Sequence, residues 1–296
     1  MCTFEPVIES VETTAYGRAA SEALAAAVAR AKDLGPLAPV TVIVPSNFVG
    51  LSARRLLGSG VLDVGSKSGI ANVSFVTPFR LAELVAADLL LDTAPITNPA
   101  LGAAVRQVLA DDPDIYRPVA DHQATEAALA SLFAELSNVD EAGLESIEDE
   151  GSTAAVLSVK FYRRIAAKLG GFHTEHDLAT AAADRADLGE RLRPFGHVIW
   201  YLPAPVTSAI GRCVGEVLRG AASSSVIVGL TGHDIADRPV LASMGDAGVD
   251  VVGPVVSVPP TGDEIVSVTD APEEAREVCQ RIVGLVAAGV RLDRIG

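Results

Sequence analysis

Short apolar runs alternate with helical stretches along the first ninety residues. The runs VIESV (7–11), PVTVIVP (39–45) and NVSFVT (72–77) are rich in β-branched residues, and each is followed by a stretch with helical periodicity. Ser46 is placed to cap the second helix, and Pro78 sits well at the first position of the third. Three strand-then-helix units in a row predict an α/β fold with a parallel sheet covered by helices.

The pattern changes between residues 96 and 190, where only helical stretches occur and no strand is expected. We interpret this part as a helical insertion. Apolar runs return at 197–202 (HVIWYL) and 224–230 (SSVIVGL), separated by a helical stretch near 206–219. These two runs are predicted strands that rejoin the first sheet.

The last part of the chain resembles the start of another α/β unit. EIVSVTD (264–270) predicts a strand, and 272–289 predicts a helix. This helix carries an apolar stripe that would cover a sheet. The sequence stops where a further strand is expected, so we expect the second unit to be cut short. The stripe residues are Ala275, Val278, Ile282, Leu285 and Val286.

The composition is that of an acidic globular protein. Lys and Arg number 23 and Asp and Glu 38, which gives a formal charge of −15. The stretch from Asp111 to Glu150 holds 12 acids and one base, so it contributes −11 of this charge. Such acidity disfavours a free-standing nucleic-acid binder. With no long apolar run and no signal peptide, we expect a cytoplasmic protein without membrane contact.

The cysteines and histidines predict no metal site or disulfide framework. Cys2, Cys213 and Cys279 are widely spaced and odd in number. The segment FHTEHD (172–177) could mimic a metal site on a helix, but Thr174 and Asp177 have the spacing of a capping box. We favour the capped helix start, and we treat His233-Asp234 as part of a loop at the carboxyl edge of the sheet.

The loop at 13–24 lies where a phosphate-binding loop would stand, between a first strand and its helix. A working loop needs GxxxxGK followed by Ser or Thr. Only Gly17 survives from this pattern, no Lys occurs before Lys32, and Ser21 alone cannot hold a nucleotide with its metal. We therefore predict an ordinary strand-to-helix turn without bound nucleotide, metal or other cofactor.

The exit of the strand at 197–202 lacks the acid pair that an ATPase uses to hold Mg²⁺. It reads Trp200, Tyr201, Leu202, Pro203, with no acid nearby. We expect the two aromatic residues to pack against helices or a partner.

Two groups of bases are candidates for contact with DNA. Arg54 and Arg55 lie on the second helix, and a second group shares adjoining faces of the helix SVKFYRRIAAKLG. The alternative for the second group is a solvated face or one paired with the acidic stretch at 111–150. This second group, here called the basic stripe, is Lys160, Arg163, Arg164 and Lys168.

Several segments carry a resemblance to a known family. VTVIVPSNFVGLSARRLL, GIANVSFVTPFRLAEL, HVIWYLPAPVT and EEAREVCQRIVGLVAAGVRLDRI are similar to the amino-terminal part of actinobacterial PD-(D/E)XK nuclease family proteins related to AddB. AddB is a subunit of helicase–nuclease complexes that process DNA breaks. The most specific pieces are VPSN, TPFRLAEL and the segment from Asp270 to Val278.

The resemblance implies a UvrD-like helicase fold with a RecA-like (P-loop NTPase-like) first domain. It implies a degenerate motor domain at 1–95 and 191–260, a helical insertion at 96–190, and the start of a second motor-like domain at 261–296. The nuclease domain of the family would follow Gly296, so this chain would be a non-catalytic module. Its partners would be the rest of the nuclease polypeptide or a helicase–nuclease subunit, with DNA bound weakly.

Two other functions remain open from the sequence. One is a free-standing protein that binds or hydrolyses nucleotides through an atypical site. The other is an interaction scaffold that does not contact DNA.

Overall fold

The computed structural model describes residues 8–60, 70–252, 264–292 and 295. Cys2 and the predicted domain boundary near 260 lie outside these residues. The chain divides into two compact units, 1–257 and 258–296. In the part that the structure describes, no helix is both long and apolar enough to cross a membrane.

The described residues of the first unit form seven strands that belong to two sheets. In chain order they are β1 (Ile8–Thr14), β2 (Val40–Ile43), β3 (Val73–Val76), β4 (Ala94–Pro95), β5 (Phe172–His173), β6 (His197–Tyr201) and β7 (Ser223–Gly229). Five of them form the main sheet in the order β1-β7-β6-β2-β3, and all neighbours are parallel. The predicted parallel sheet and its five strands are confirmed.

Twelve α-helices are described, eleven of them in the first unit. They are α1 (Arg18–Ala31), α2 (Asn47–Gly58), α3 (Pro78–Ala86), α4 (Asn98–Asp111), α5 (Gln123–Leu136), α6 (Glu141–Glu150), α7 (Thr153–Lys168), α8 (Glu175–Ala183), α9 (Leu188–Arg191), α10 (Ser208–Gly220), α11 (Asp234–Asp246) and, in the second unit, α12 (Ala271–Ala287).

The predicted caps form as expected. Ser46 Oγ accepts a hydrogen bond from Val49 N at the start of α2, and Pro78 stands in the first turn of α3. Thr174 and Asp177 form a complete capping box at α8. Each cap satisfies backbone N–H groups that have no partner inside the helix.

Helices cover both faces of the main sheet because the chain crosses it in two directions. From β1 through β2 to β3 the chain moves one way, and from β3 through β6 to β7 it moves back. Right-handed crossovers therefore place α1 and α2 on one face and α3, α10 and α11 on the other. Helix α8 packs on the second face as well.

The central strand β6 is apolar throughout because helices cover both of its faces. Val198 and Trp200 belong to the core under α3 and α10, whereas Ile199 and Tyr201 belong to the core under α1. All four side chains are buried. Successive residues of a strand point to opposite faces, so a strand covered on both faces must be apolar throughout.

Helices α4, α5 and α7 build a separate core away from the sheet. Phe161 and Ile165 of α7 are fully buried there, between residues of α4 and α5. The ring of Tyr116 meets Phe161 edge to face at 4.9 Å. The main members of this core are Leu101, Val105, Val108, Leu129, Phe133, Phe161 and Ile165.

Two expectations about secondary structure were wrong, and two helices had no prediction. Residues 264–270 form no strand; the described part of the second unit offers no partner strand, and an isolated strand leaves its backbone groups unpaired. A two-residue strand, β5, occurs where none was expected, paired with β4. Helices α6 and α11 were not anticipated, since both are rich in polar residues.

Candidate functional site at the carboxyl edge of the sheet

The carboxyl edge of a parallel sheet is where ligands bind in open α/β folds, at points where neighbouring strands lead to opposite faces. This sheet has three such points among the described strands. Strand β2 leads to α2, whereas its two neighbours β6 and β3 lead to α10 and α3 on the other face. Strands β1 and β7 diverge in the same way, to α1 and α11.

The connection between β1 and α1 is too short to wrap around a phosphate group. Strand β1 ends at Thr14 and α1 begins at Arg18, so only three residues join them. Gly17 makes the turn with φ +87°, a conformation that favours glycine. A GxxxxGK loop places six residues before the Lys, and these residues surround the phosphates with backbone N–H groups.

Ser21 has its hydrogen bonds inside the protein. Its Oγ donates to the Gly17 carbonyl oxygen at 3.0 Å, and its backbone N donates to the same oxygen at 3.1 Å. Burial raises the pKa of Tyr201, and a hydrogen bond with the Ser21 side chain opposes that rise. The hydroxyl at the position of an Mg²⁺ ligand is therefore engaged with its own helix and with β6.

Tyr16 and Leu202 cover the end of β7. A Cβ atom at Gly229 would lie 2.7 Å from the Tyr16 ring and 2.7 Å from the Leu202 side chain. Leu202 adopts φ +48°, an uncommon conformation for a branched residue. Aromatic and aliphatic side chains thus meet where β6 and β7 end, and Trp200 and Tyr201 are buried as predicted.

A buried carboxylate shapes the loop after β7. Asp237 accepts three hydrogen bonds of 2.8 Å, from the backbone N and Oγ1 of Thr231 and from the backbone N of Gly232. Burial alone would raise the pKa of Asp237, but these hydrogen bonds outweigh it and the pKa lies below its usual value. His233 stands exposed at the start of α11. Sequence reasoning noticed His233-Asp234 and missed Asp237, because no local pattern marks a carboxylate that binds an upstream loop.

A cleft of about 490 Å³ opens beside the divergence of β2 and β6. Prolines, aromatic rings and aliphatic side chains line most of it, and Glu175 is its one charged residue. Helices α3 and α10 begin there, and the side chain of Thr207 does not cap α10. This cleft suits an apolar or planar group, but its lining has no base to neutralise a phosphate. Its main lining residues are Pro45, Pro78, Phe79, Trp200, Pro205 and Ile210.

The basic stripe on α7 is paired with the acidic stretch, as the alternative interpretation held. Lys160 Nζ lies 2.8 Å from Asp114, and Lys168 Nζ lies 2.8 Å from Asp111. These pairs tie α7 to the end of α4 and the turn that follows it. A base held by a protein carboxylate is less available to a nucleic-acid phosphate.

The two arginines of the stripe are held more extensively. Arg163 pairs with Glu141 at 2.6 Å and with Glu148 at 3.0 Å, which joins α7 to α6. Arg164 donates to the carbonyl oxygens of Val108 and Asp112 at 3.0 and 2.7 Å. It thereby satisfies carbonyl groups at the end of α4, where a positive charge also favours the helix dipole.

Arg54 and Arg55 are exposed on α2 and make no ion pair among the residues that the structure describes. The guanidinium of Arg54 lies 5.6 Å from the centre of the Phe75 ring. These two bases are thus separate from the basic stripe, which lies on α7 within residues 96–190, here called the helical module.

The histidines near residue 174 form no metal site. His173 Nδ1 lies 2.8 Å from Thr93 Oγ1, and Asp177 is occupied by the capping box. In the described ranges, no group of three His, Cys, Asp or Glu side chains could hold a metal ion. Cys213 is a buried free thiol, and Cys279 is an exposed one.

No protein-family model matches this chain, and no curated protein matches it at a significant level. The resemblance to AddB-related proteins therefore has the support of the quoted sequence segments alone.

Proposed function

We propose that this chain is a non-catalytic, helicase-like module of an AddB-like DNA-processing assembly, with an architectural role at DNA double-strand breaks. In this proposal, 1–95 and 191–260 form a degenerate RecA-like domain, 96–190 is its helical insertion, and 261–296 begins a second motor-like domain. The five-stranded parallel sheet covered by helices is compatible with that fold.

One observation supports a non-catalytic role above all others. The carboxyl edge of the sheet is where an α/β protein binds its ligand, but here it lacks the Lys and the acid pair that nucleotide hydrolysis needs. The turn at Gly17 has three residues and no Lys, and the exit of β6 has Tyr201 and Leu202 in place of the acid pair. Catalysis of phosphoryl transfer depends on positioned charges, and these charges are missing from both strand ends.

Calorimetry with ATP and Mg²⁺ tests the proposal. We expect no measurable binding, and no rise in thermal stability when the nucleotide is added, since a ligand stabilises the folded state only if it binds that state. Micromolar affinity, equivalent to about −8 kcal/mol, would contradict the proposal and favour an atypical nucleotide-binding protein.

A second function, an interaction scaffold without DNA contact, is favoured by the ion pairs of the basic stripe. All four bases of the stripe are bound to carboxylates or carbonyl oxygens of the same module. The stripe then stabilises α4, α6 and α7 instead of facing a partner. Arg54 and Arg55 would be the remaining DNA-contact candidates from the sequence, and the titration described in the Discussion separates the two functions.

A further inference from the structure

A second cavity lies in the helical module, away from the sheet edge. It has a volume of about 690 Å³ and opens between α7, the α5–α6 connection, β5 and the first turn of α8. Pockets for small ligands commonly span roughly 300 to 1,000 Å³ and combine apolar walls with a few polar groups. This cavity has both properties.

The walls are apolar and aromatic. The rings of Phe133 and Tyr162 lie 5.3 Å apart with a 35° tilt, and both line the cavity. Leu144 and Ile96 extend this surface, and Phe172 borders it from β5. Two tilted rings beside aliphatic side chains offer a surface that a ligand with one aromatic ring can fill by stacking and edge contacts.

The charge of the lining is negative. Asp140, Glu141 and Asp177 line the cavity, and Arg163 is the single Lys or Arg among its lining residues. Arg163 is itself neutralised, because it pairs with Glu141 and with Glu148. Burial raises the pKa of Tyr162, and the negative charges of Asp177 and Glu141 raise it further. The carboxylates therefore influence a side chain that lines the cavity.

One buried polar atom in the lining has no partner. His176 Nδ1 is inaccessible to solvent and makes no hydrogen bond among the described residues, although His176 borders the cavity. A buried polar atom without a partner costs free energy, so such an atom calls for a structural or functional explanation. In the neutral imidazole this nitrogen can accept a hydrogen bond from a ligand once the ring turns toward the cavity.

From the walls, the charge and the unpaired nitrogen together, we propose that this cavity binds a small arylalkylamine, a primary amine joined to an aromatic ring by a short aliphatic chain, in its protonated form. The ring would pack on Phe133 and Tyr162, and the ammonium group would face the carboxylates. With the imidazole turned toward the opening, the ammonium group would also donate to His176 Nδ1. This site is independent of the function proposed above, because it shares no residue with the carboxyl edge of the sheet.

Calorimetry on the full chain with 2-phenylethylamine, phenylacetate and 2-phenylethanol tests the site. The three probes share a ring of the same size and differ in charge. We expect the amine to bind with a dissociation constant of about 1 mM or tighter. The anion should bind at least about tenfold more weakly, because it meets carboxylates of the same sign. Equal affinity of the three probes would overturn the proposal.

Matched variants on α7 locate the bound amine. Ala167 is exposed and lines the cavity, so Ala167→Phe should fill the space without disturbing a core and should abolish binding. Ala154→Phe, at an exposed position near the other end of α7, is the control and should leave binding unchanged. Binding that survives Ala167→Phe would place the amine elsewhere on the acidic surface and refute the site.

Two further measurements test the polar contacts and the class of ligand. His176→Ala should weaken the amine about tenfold, the loss of one hydrogen bond to a charged donor, while phenylacetate should change little. An unchanged affinity for the amine in a folded variant would contradict the role of His176.

A blocked Phe-Arg dipeptide carries an aromatic ring and a positive charge on a peptide backbone. If it binds ten times more tightly than the amine, the occupant is a protein segment and the small-molecule proposal fails.

Discussion

Asp237 holds the loop after β7 through its charge, and this predicts a specific acid sensitivity. Its folded pKa is lowered, so the stability it contributes is fully present above its unfolded pKa near 3.8 and is lost as the pH falls through the folded value. Asp237→Asn should cost about 1 to 3 kcal/mol at pH 7, because it removes a charged acceptor and leaves buried donors unpaired. Urea unfolding at pH 7 and at pH 3 measures both effects.

The variant should also lose part of the pH dependence below about pH 4, since the group that titrates there is gone. Asp234→Asn is the control, because Asp234 is exposed in the same helix. Identical slopes of stability against pH in wild type and Asp237→Asn would contradict the assigned role.

Gly215 allows α10 to approach the end of α11 closely. A Cβ atom at this position would lie 2.1 Å from the Ala247 carbonyl oxygen. Only a shift of the backbone of α10 or α11 can relieve this clash. Gly215→Ala should therefore destabilise the protein by about 1 to 3 kcal/mol, the usual range for overpacking. The free energy of unfolding in urea measures it.

Gly245→Ala is a matched control for Gly215→Ala. Gly245 lies in α11, and a Cβ atom there would meet nothing within 4 Å. This substitution should be neutral or stabilise by up to about 1 kcal/mol, the difference in helix propensity. If both glycine variants change the free energy of unfolding equally, close packing of α10 against α11 at Gly215 does not explain the effect.

Helix α12 exposes the apolar stripe that its sequence predicts will cover a sheet. No residue of α12 is buried, and Val278, Leu285 and Val286 are 50%, 44% and 42% exposed. An isolated helix of this length is marginal in water, because most helical stability comes from packing. We expect its amides to exchange with deuterium much faster than those of β2, measured by mass spectrometry.

Helix α10 is the internal comparison for α12, since it is also amphipathic but has seven buried residues. Its amides should be protected nearly as well as those of β2. Equal protection of α12 and α10 in the monomer would mean that α12 is stably packed in solution.

Charge predicts weak binding of DNA by the molecule as a whole. At −15, and with the basic stripe paired internally, the chain should bind single-stranded DNA no more tightly than roughly 10⁻⁴ M at physiological salt. At low salt, any binding should depend on Arg54 and Arg55. Fluorescence anisotropy titrations at two salt concentrations measure this.

Arg54→Ala with Arg55→Ala should remove the low-salt binding, whereas Arg191→Ala with Arg193→Ala changes the net charge equally and should not. Arg163→Glu with Arg164→Glu tests the stripe, and we expect it to lower stability more than DNA affinity. Tight binding that persists at physiological salt would place the DNA surface elsewhere. No binding even at low salt would favour the scaffold without DNA contact.

The elements of this fold follow from local patterns, and most could be predicted. The runs at 40–43 and 197–201 are apolar throughout because both faces of those strands are covered. Ser46 and Thr174 cap helices through atoms only three residues away. Helices α6 and α11 escaped notice because their polar residues weaken the periodicity on which such predictions depend.

The candidate sites were less predictable, because residues far apart in sequence build them. The cavity near His176 combines Phe133, Tyr162 and Asp177 from three helices. The pairing of Lys168 with Asp111 spans 57 positions. A sequence shows that opposite charges exist, but it does not show which of them meet.

The amino-acid order alone was enough to specify the α/β class, the five strands, the helix caps and the missing phosphate-loop Lys, since each depends on interactions within a few residues. Only the tertiary structure decided the strand order β1-β7-β6-β2-β3, the pairing of the basic stripe, the burial of Asp237 and the two cavities. These features depend on where the crossovers place distant segments, and many arrangements of the same elements satisfy the same local preferences.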